Sequence, residues 1–408
     1  MKKKIGIEQL QPGMYIADLN CGWLDHGFLR SRFLLEDIAQ LGKIRQLGIR
    51  ELYIDTDKGL DVTLAPTASE VEAALEQGLA ELAATADTDE NRPTPLASER
   101  LVARRIQNEA IGLVSGLMDD ARSGRSIELE HMCPLVDQMI DSIARNQDAL
   151  LSLTRIRRVG RYTFEHSVNV AVLMLSLARS LGLDRAQTQD IGLGALLHDL
   201  GKILVPTAIL NKPAQLTDEE FGLMRAHVGH TCEILADIPG LSPTALAVAA
   251  EHHERIDGSG YPQRKVGDQI TLYGQMAAIV DVYDAITSDR VYHKALDPHR
   301  ALSKMLEWSS HHFDATLVQR FIRCVGIYPI GTLVRLRSGR LGVVVESGGQ
   351  GPFQPIVRIV MDANRRCFLK VEDLDLSRLG KGSEERIIGA ESPHTWGIKT
   401  DELLRFPA

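Results

Sequence analysis

Between Ser98 and about Ile330 the chain reads as an almost unbroken succession of amphipathic helices, with histidines and carboxylates at their ends or on their inward faces. That placement limits the fold more than any other feature. An imidazole or carboxylate turned into an apolar core must be hydrogen-bonded, paired or bound to a metal. Arg161 to Gly182 carries a wide apolar face and stops at a glycine C-cap. Asp184 to His198 is a second amphipathic stretch. Thr217-Asp218-Glu219-Glu220 has capping-box spacing and opens a helix predicted to run through His227 to about Leu235. Ser242-Pro243 opens another that ends at His252-His253, and Asp297-Pro298 repeats the signal.

The flanks differ. Ile5 to Ile7, Met14 to Ile16 and Glu51 to Ile54 read as strands, Glu36 to Leu47 as a helix, and Ser69 with Glu72 as the capping box of an alanine-rich helix to about Ala83. Ala84 to Pro95 is polar and proline-bearing. After Ile330 come short β-branched runs with turns at Ser338-Gly339 and Ser347-Gly348-Gly349. The fold class expected is mainly α: an α/β N-terminal domain (1–83), a linker (84–97), a helical domain (98–330, core 162–330) and a small β-rich C-terminal extension (331–408).

Composition narrows the function. At 408 residues, with 44% hydrophobic and 25% charged residues, the chain suits a globular protein of several domains. The apolar run Val168 to Ala178 is too short to span a bilayer, and no signal-peptide core follows Met1-Lys2-Lys3-Lys4, so the expected location is cytoplasmic with no membrane span. The five cysteines are scattered and never in C-x-x-C spacing, which argues against a disulfide framework or thiolate zinc site. A net charge of −8 repels a nucleic-acid polymer, so a phosphate-bearing ligand must be drawn in by a local cationic centre.

Six of the 13 histidines lie between His166 and His253. His166, His198-Asp199, His227, His252-His253 and Asp281 fall on successive helices, and His198, Asp199 and Asp281 sit in apolar context. Imidazole and carboxylate without thiolate suit divalent transition metals, Fe or Mn first and Zn, Ni or Co after them. An aspartate can bridge two ions, which favours a binuclear centre. Two metals roughly 3.5–4 Å apart would clamp a phosphodiester and lower the pKa of a bridging water. His131, His230, His311 and His312 read as packed residues. The basic run Arg155-Ile156-Arg157-Arg158 with Arg161 reads as a solvated helix face, with steering of an anionic ligand as its alternative.

Leu197-His198-Asp199-Leu200-Gly201-Lys202-Ile203 resembles the signature of the HD phosphohydrolase superfamily. His252 to Pro262 matches the HHExxDGxGYP signature of its HD-GYP branch, and Asp281 to Arg290 resembles the next block of that branch. The N-terminal region resembles, more weakly, a domain of unknown function found in front of HD-GYP domains in bacteria. The resemblance implies a phosphodiesterase that opens cyclic di-GMP to linear pGpG and, in many members, on to GMP, by a metal-bridging hydroxide. It implies His166, His198, Asp199, His227, His252, His253 and Asp281 as metal ligands, with Asp199 as bridge. Lys202 would contact a phosphate or the leaving oxygen, and Gly258, Gly260, Tyr261 and Pro262 would form a loop at the metal edge. Arg290 matches a family arginine holding the distal part of the ligand.

Two departures stand out. Members with a third metal carry a Glu where this chain has Tyr162, and Glu165 points about 100° away from His166 on a helix, so two metals are expected. Where the family tends to have Arg or Lys, this chain has His293, with Lys294 next to it. The alternative is a catalytically silent receptor that binds cyclic di-GMP and signals through its flanking domains, but all seven ligands are kept. An HD hydrolase of another nucleotide should lack the GYP block. Proteins carrying GGDEF domains are the partners the resemblance implies, and a homodimer is left open.

Overall fold

The computed structural model describes residues 1–21, 32–84, 93–125, 127–156, 162–214, 216–289, 294–348, 354–379 and 383–405. The chain opens with β1 (Lys2–Gly6), β2 (Tyr15–Asp18), β3 (Phe33–Leu34), α1 (Ile38–Gln46) and β4 (Glu51–Asp55), which form one antiparallel sheet of order β1-β4-β2-β3. Alternation along the strands puts Ile5, Ile16, Leu52 and Ile54 on the face covered by Leu41 and Ile44 of α1.

The helix that follows, α2 (Ala68–Ala84), begins earlier than its sequence signal. Thr67 and Glu70 make the reciprocal cap, Thr67 Oγ1 accepting from the Glu70 amide at 3.2 Å and the Glu70 carboxylate from the Thr67 amide at 2.8 Å. Thr67 is already extended, in a β-bridge with Lys3, and an N-cap needs that backbone. Leu79 and Ala83 of α2 are buried in the large helical core, away from the sheet.

The helical region comprises α3 (Leu96–Arg122), α4 (Met132–Leu153), α5 (Tyr162–Ser180), α6 (Arg185–Leu197), α7 (Thr207–Leu210), α8 (Asp218–Arg225), α9 (His227–Ala236), α10 (Pro243–Glu251), α11 (Leu272–Ile286), α12 (Pro298–Trp308) and α13 (Ala315–Val325), all but α7 and α8 contributing to the large core. Val168 to Ala178 of α5 is buried on every side, as an apolar run this short should be when it is an interior helix. The single helix expected from Thr217 to Leu235 is two, parted at Ala226. The His227 Nδ1–H donates to the Met224 carbonyl at 2.7 Å, an oxygen that an unbroken helix would give to the Val228 amide.

The extension holds β5 (Leu333–Leu336), β6 (Arg340–Glu346), β7 (Ile356–Asp362), β8 (Cys367–Asp375) and β9 (Ile387–Ala390), an antiparallel sheet of order β8-β7-β6-β5-β9. Leu333, Leu341, Val343 and Val345 face the helices, whereas Val334, Leu336 and Val344 close a small core on the other side. Two short helices, α14 (Pro393–Trp396) and α15 (Thr400–Leu404), end the chain, with Ile398 and Leu404 buried in the large core. The class is mainly α with a small sheet at each end, as expected from sequence. No helix among the described residues is long and apolar enough to cross a membrane.

Candidate metal centre

Five helices deliver the site. Asp184 and Gln187 form a capping box that starts α6, and the helix runs out at His198, leaving Asp199 at the head of a 3-10 turn, Leu200–Leu204. Gly201 lets that turn press on α9: a Cβ there would lie 2.1 Å from the His227 carbonyl oxygen. Thr231 fastens the contact, accepting from the Gly201 amide at 2.8 Å and donating to the carbonyls of His227 (2.9 Å) and His198 (3.2 Å). His227 heads α9, His252 and His253 close α10, His166 sits in the second turn of α5, and Asp281 on the buried face of α11.

All seven side chains predicted as ligands are buried and converge. His166, His198 and Asp199 offer atoms within 4.8 Å of one another, and so do His227, His252 and His253. The aspartates span the two groups. Asp199 Oδ2 lies 3.5 Å from Nε2 of both His166 and His198, and its Oδ1 lies 3.4 Å from His227 Nε2 and 3.9 Å from His252 Nε2. Asp281 Oδ1 lies 3.0 Å from His166 Nε2, and its Oδ2 lies 3.7 Å from His253 Nδ1.

Tautomers are set by the opposite ring nitrogen. His198, His227 and His252 donate Nδ1–H to the carbonyls of Ala195, Met224 and Ala249 at 2.7, 2.7 and 2.8 Å, because a carbonyl can only accept. Each Nε2 is thereby left as a lone pair aimed at the centre. His166 donates Nδ1–H to Asp284 Oδ2 at 2.7 Å. Asp284, three residues after Asp281, was not singled out in the sequence; the i, i+3 spacing of two aspartates on an apolar helix face was the signal.

Protonation follows from burial and charge. Burial lowers His198 against the opposing charge of Asp199; burial, with a neighbouring positive charge second, drives His252 and His253 well below the ordinary range and pushes His227 down to about 4 beside Lys202. Burial by itself would raise Asp199, yet the paired Lys202 ammonium and the surrounding histidines hold it well below the usual carboxylate range. Asp281 is held low against burial by its His166 hydrogen bond and neighbouring charges. Burial opposes His166, but Asp281 and Asp284 raise it. At His198, His227, His252 and His253, neutral imidazoles facing ionised carboxylates are in the protonation state a divalent cation requires, and at His166 a bound cation would take the place of the proton shared with Asp281. Buried His198 Nε2 and Asp199 Oδ1 have no hydrogen-bond partner, and a bound cation would satisfy both acceptors. The donor set fits divalent metal.

Above the centre opens a cleft of about 1290 Å³ whose walls include Lys202, His227, His253 and Tyr261. Tyr261 stacks on His253, with ring centroids 4.6 Å apart. Gly260 lets its loop fold back, since a Cβ would lie 2.4 Å from the Arg255 amide nitrogen. Gly258 and Pro262 flank it in the same loop, but of the four predicted loop residues Tyr261 is the one lining the cleft. Lys294 is exposed and does not line it. Arg290 and His293 lie outside the described residues, as do Arg157, Arg158, Arg161 and the Tyr162 side chain. Arg155 lines the cleft, and so do Arg300 of α12, His394 of α14 and Lys399 just before α15, three residues whose sequence context gave no link to the site.

Residues 2–132 match the family described as "Domain of unknown function (DUF3391)" and residues 137–317 the family described as "HD domain". Over 407 residues the chain is 41% identical to the cyclic di-GMP phosphodiesterase PA4108 of Pseudomonas aeruginosa, covering 99% of this chain and 95% of that one. The chain belongs to the HD-GYP family of cyclic di-GMP phosphodiesterases. Other relatives match over a smaller share of the chain. A cyclic di-GMP phosphodiesterase of Vibrio cholerae is 34% identical over 48% of this chain and 44% of its own. A 3'3'-cGAMP-specific phosphodiesterase from the same organism is 39% identical over 36% of this chain and 32% of its own.

Proposed function

We propose that this protein hydrolyses cyclic di-GMP to linear pGpG, with the ratio of pGpG to GMP in the product measuring how far hydrolysis proceeds, at a centre holding two divalent metal ions, Fe or Mn. The observation that carries this reading is the pair of three-ligand groups spanned by Asp199 and Asp281 at the floor of a cleft large enough for a dinucleotide. Bound there, two such ions would polarise the phosphodiester and lower the pKa of the attacking water. The chain's own residues do the rest. His166, His198, Asp199, His227, His252, His253 and Asp281 would hold the ions, their orientation fixed by backbone carbonyls and Asp284. Lys202, at the cleft and paired with Asp199, would neutralise a phosphate oxygen as charge develops on it. Tyr261, stacked on His253 with the Arg225 guanidinium 5.7 Å from its ring, would place an aromatic edge against a guanine at the cleft wall. Arg155 and Arg300 supply positive potential along the cleft in a protein of net charge −8.

The domain division 1–83, 84–97, 98–330 and 331–408 is proposed with it, as are a cytoplasmic location and proteins carrying GGDEF domains as partners. The test is turnover of cyclic di-GMP beside 3'3'-cGAMP, resolved by chromatography, with protein purified without oxygen and supplied with Mn or Fe. An Asp199→Ala variant of measured metal content runs in parallel. Cleavage of cyclic di-GMP, lost together with metal in the variant, is the expected result. Preference for 3'3'-cGAMP would reassign the substrate, and binding without product at full metal occupancy would leave a receptor.

A further inference from the structure

We propose that the N-terminal sheet domain is a positioning element for the substrate loop 258–262, acting through Gly48 and Arg50; the substrate part of this rests on the function proposed above. The domain is seated on α12 by a buried polar cluster. The Glu307 carboxylate accepts from Tyr53 Oη at 2.8 Å and from Asn20 Nδ2 at 3.0 Å, and Lys4 Nζ lies 3.1 Å away. Trp308 Nε1 donates to the Asn20 carbonyl at 2.9 Å. Contacts from β1, from β4 and from the chain after β2 fix the sheet at three points, and satisfied buried networks of this kind are stiff.

From that seat the turn after α1 reaches the loop. Gly48 has φ of +72°, and a Cβ on it would lie 2.6 Å from the Ser259 Cβ. Arg50 Nε lies 3.5 Å from Asp257 Oδ2. Asp257 Oδ1 in turn accepts from the Ser259 amide at 3.0 Å and from its hydroxyl at 2.6 Å, which fixes the start of the loop. At the far end the Tyr261 amide donates to the His253 carbonyl at 3.1 Å while its ring stacks on that imidazole. The exposed Arg50 pair adds little stability by itself. Its consequence is geometric: Gly48 and Arg50 grip the segment that decides where Tyr261 stands relative to a metal-ligating histidine.

The test uses the full chain with Gly48→Ala, Arg50→Ala and Arg50→Lys, and Leu64→Ala, on an exposed side chain of the same domain, as control. Hydrogen exchange over 257–263, calorimetric affinity for cyclic di-GMP, metal content, KM and kcat are measured. Gly48→Ala and Arg50→Ala should keep their metal, exchange faster over 257–263, and weaken Kd and KM about tenfold while kcat changes less than about twofold. Arg50→Lys should restore most of the affinity, and Leu64→Ala should change nothing. Folded variants with unchanged loop exchange and unchanged KM overturn the proposal, and if Gly48→Ala does not fold, the Arg50 pair decides. If the wild type neither binds nor cleaves cyclic di-GMP, the function proposed above falls, and exchange over 257–263 still decides the positioning role.

Discussion

His166 differs from its neighbours in being held by a carboxylate, where His198, His227 and His252 are held by backbone carbonyls. A carboxylate behind an imidazole raises its basicity as well as fixing its ring. Asp284→Asn keeps the shape and an acceptor but removes the charge, so metal affinity should fall by about 10–100-fold with little change in fold. Chelator competition read by metal content checks this, and an unchanged affinity would show that Asp284 merely packs. Gly201 makes the complementary point about space. Gly201→Ala should destabilise the protein by about 1–3 kcal/mol, because the new methyl meets the His227 carbonyl and the Thr231 amide. Denaturant titration measures the loss, and metal content should fall too as the turn carrying His198 and Asp199 is pushed off α9.

At the scale of elements, α2 shows how the N-terminal region is tied to the helical core. His299 on α12 donates Nδ1–H to the Ile327 carbonyl at 2.6 Å, while its Nε2 lies 2.8 Å from the Glu76 carboxylate on α2. Burial is the largest influence and opposes the charged ring, but the hydrogen bonds to Glu76 and the Ile327 carbonyl and the charges of Glu76 and Asp297 together outweigh it and raise the pKa. A group raised on folding stabilises fully below its unfolded value of about 6.5, and that stabilisation is lost as pH rises through the folded value. Melting temperature should therefore fall across neutral to mildly alkaline pH more steeply in the wild type than in Glu76→Gln. Parallel melting curves in the two proteins would show that the pair does not titrate in this window. The ends of α2 and α9 also show where local signals misread the chain. Ser69-Glu72 and Thr67-Glu70 carry the same spacing, and the β-bridge of Thr67 to Lys3, a contact far along the chain, selects the second. The break before His227 comes from a side chain competing for a backbone carbonyl, which capping patterns do not encode.

Taken whole, the molecule buries two aspartates among imidazoles, an arrangement that is costly without a cation and cooperative with one. Stripping metal with a chelator should lower the melting temperature, because an ion at 1,000 times its dissociation constant contributes about 4 kcal/mol. Calorimetry with and without chelator measures this, and Asp199→Ala should show no difference between the two conditions. The HD and HD-GYP motifs were legible in the sequence because His198-Asp199 and His252-His253 lie in short segments at helix ends, where local spacing fixes which groups stand together. The mainly α class was legible from periodicity for a similar reason, since the pattern of apolar residues is itself the face that gets buried. Only tertiary structure could set Asp284 behind His166, bring Arg300, His394 and Lys399 to the cleft, and press Gly48 against Ser259. Those contacts join segments about 100 to more than 200 residues apart, and packing decides them through side-chain volume and the need to satisfy buried polar groups, neither of which any local stretch of sequence records.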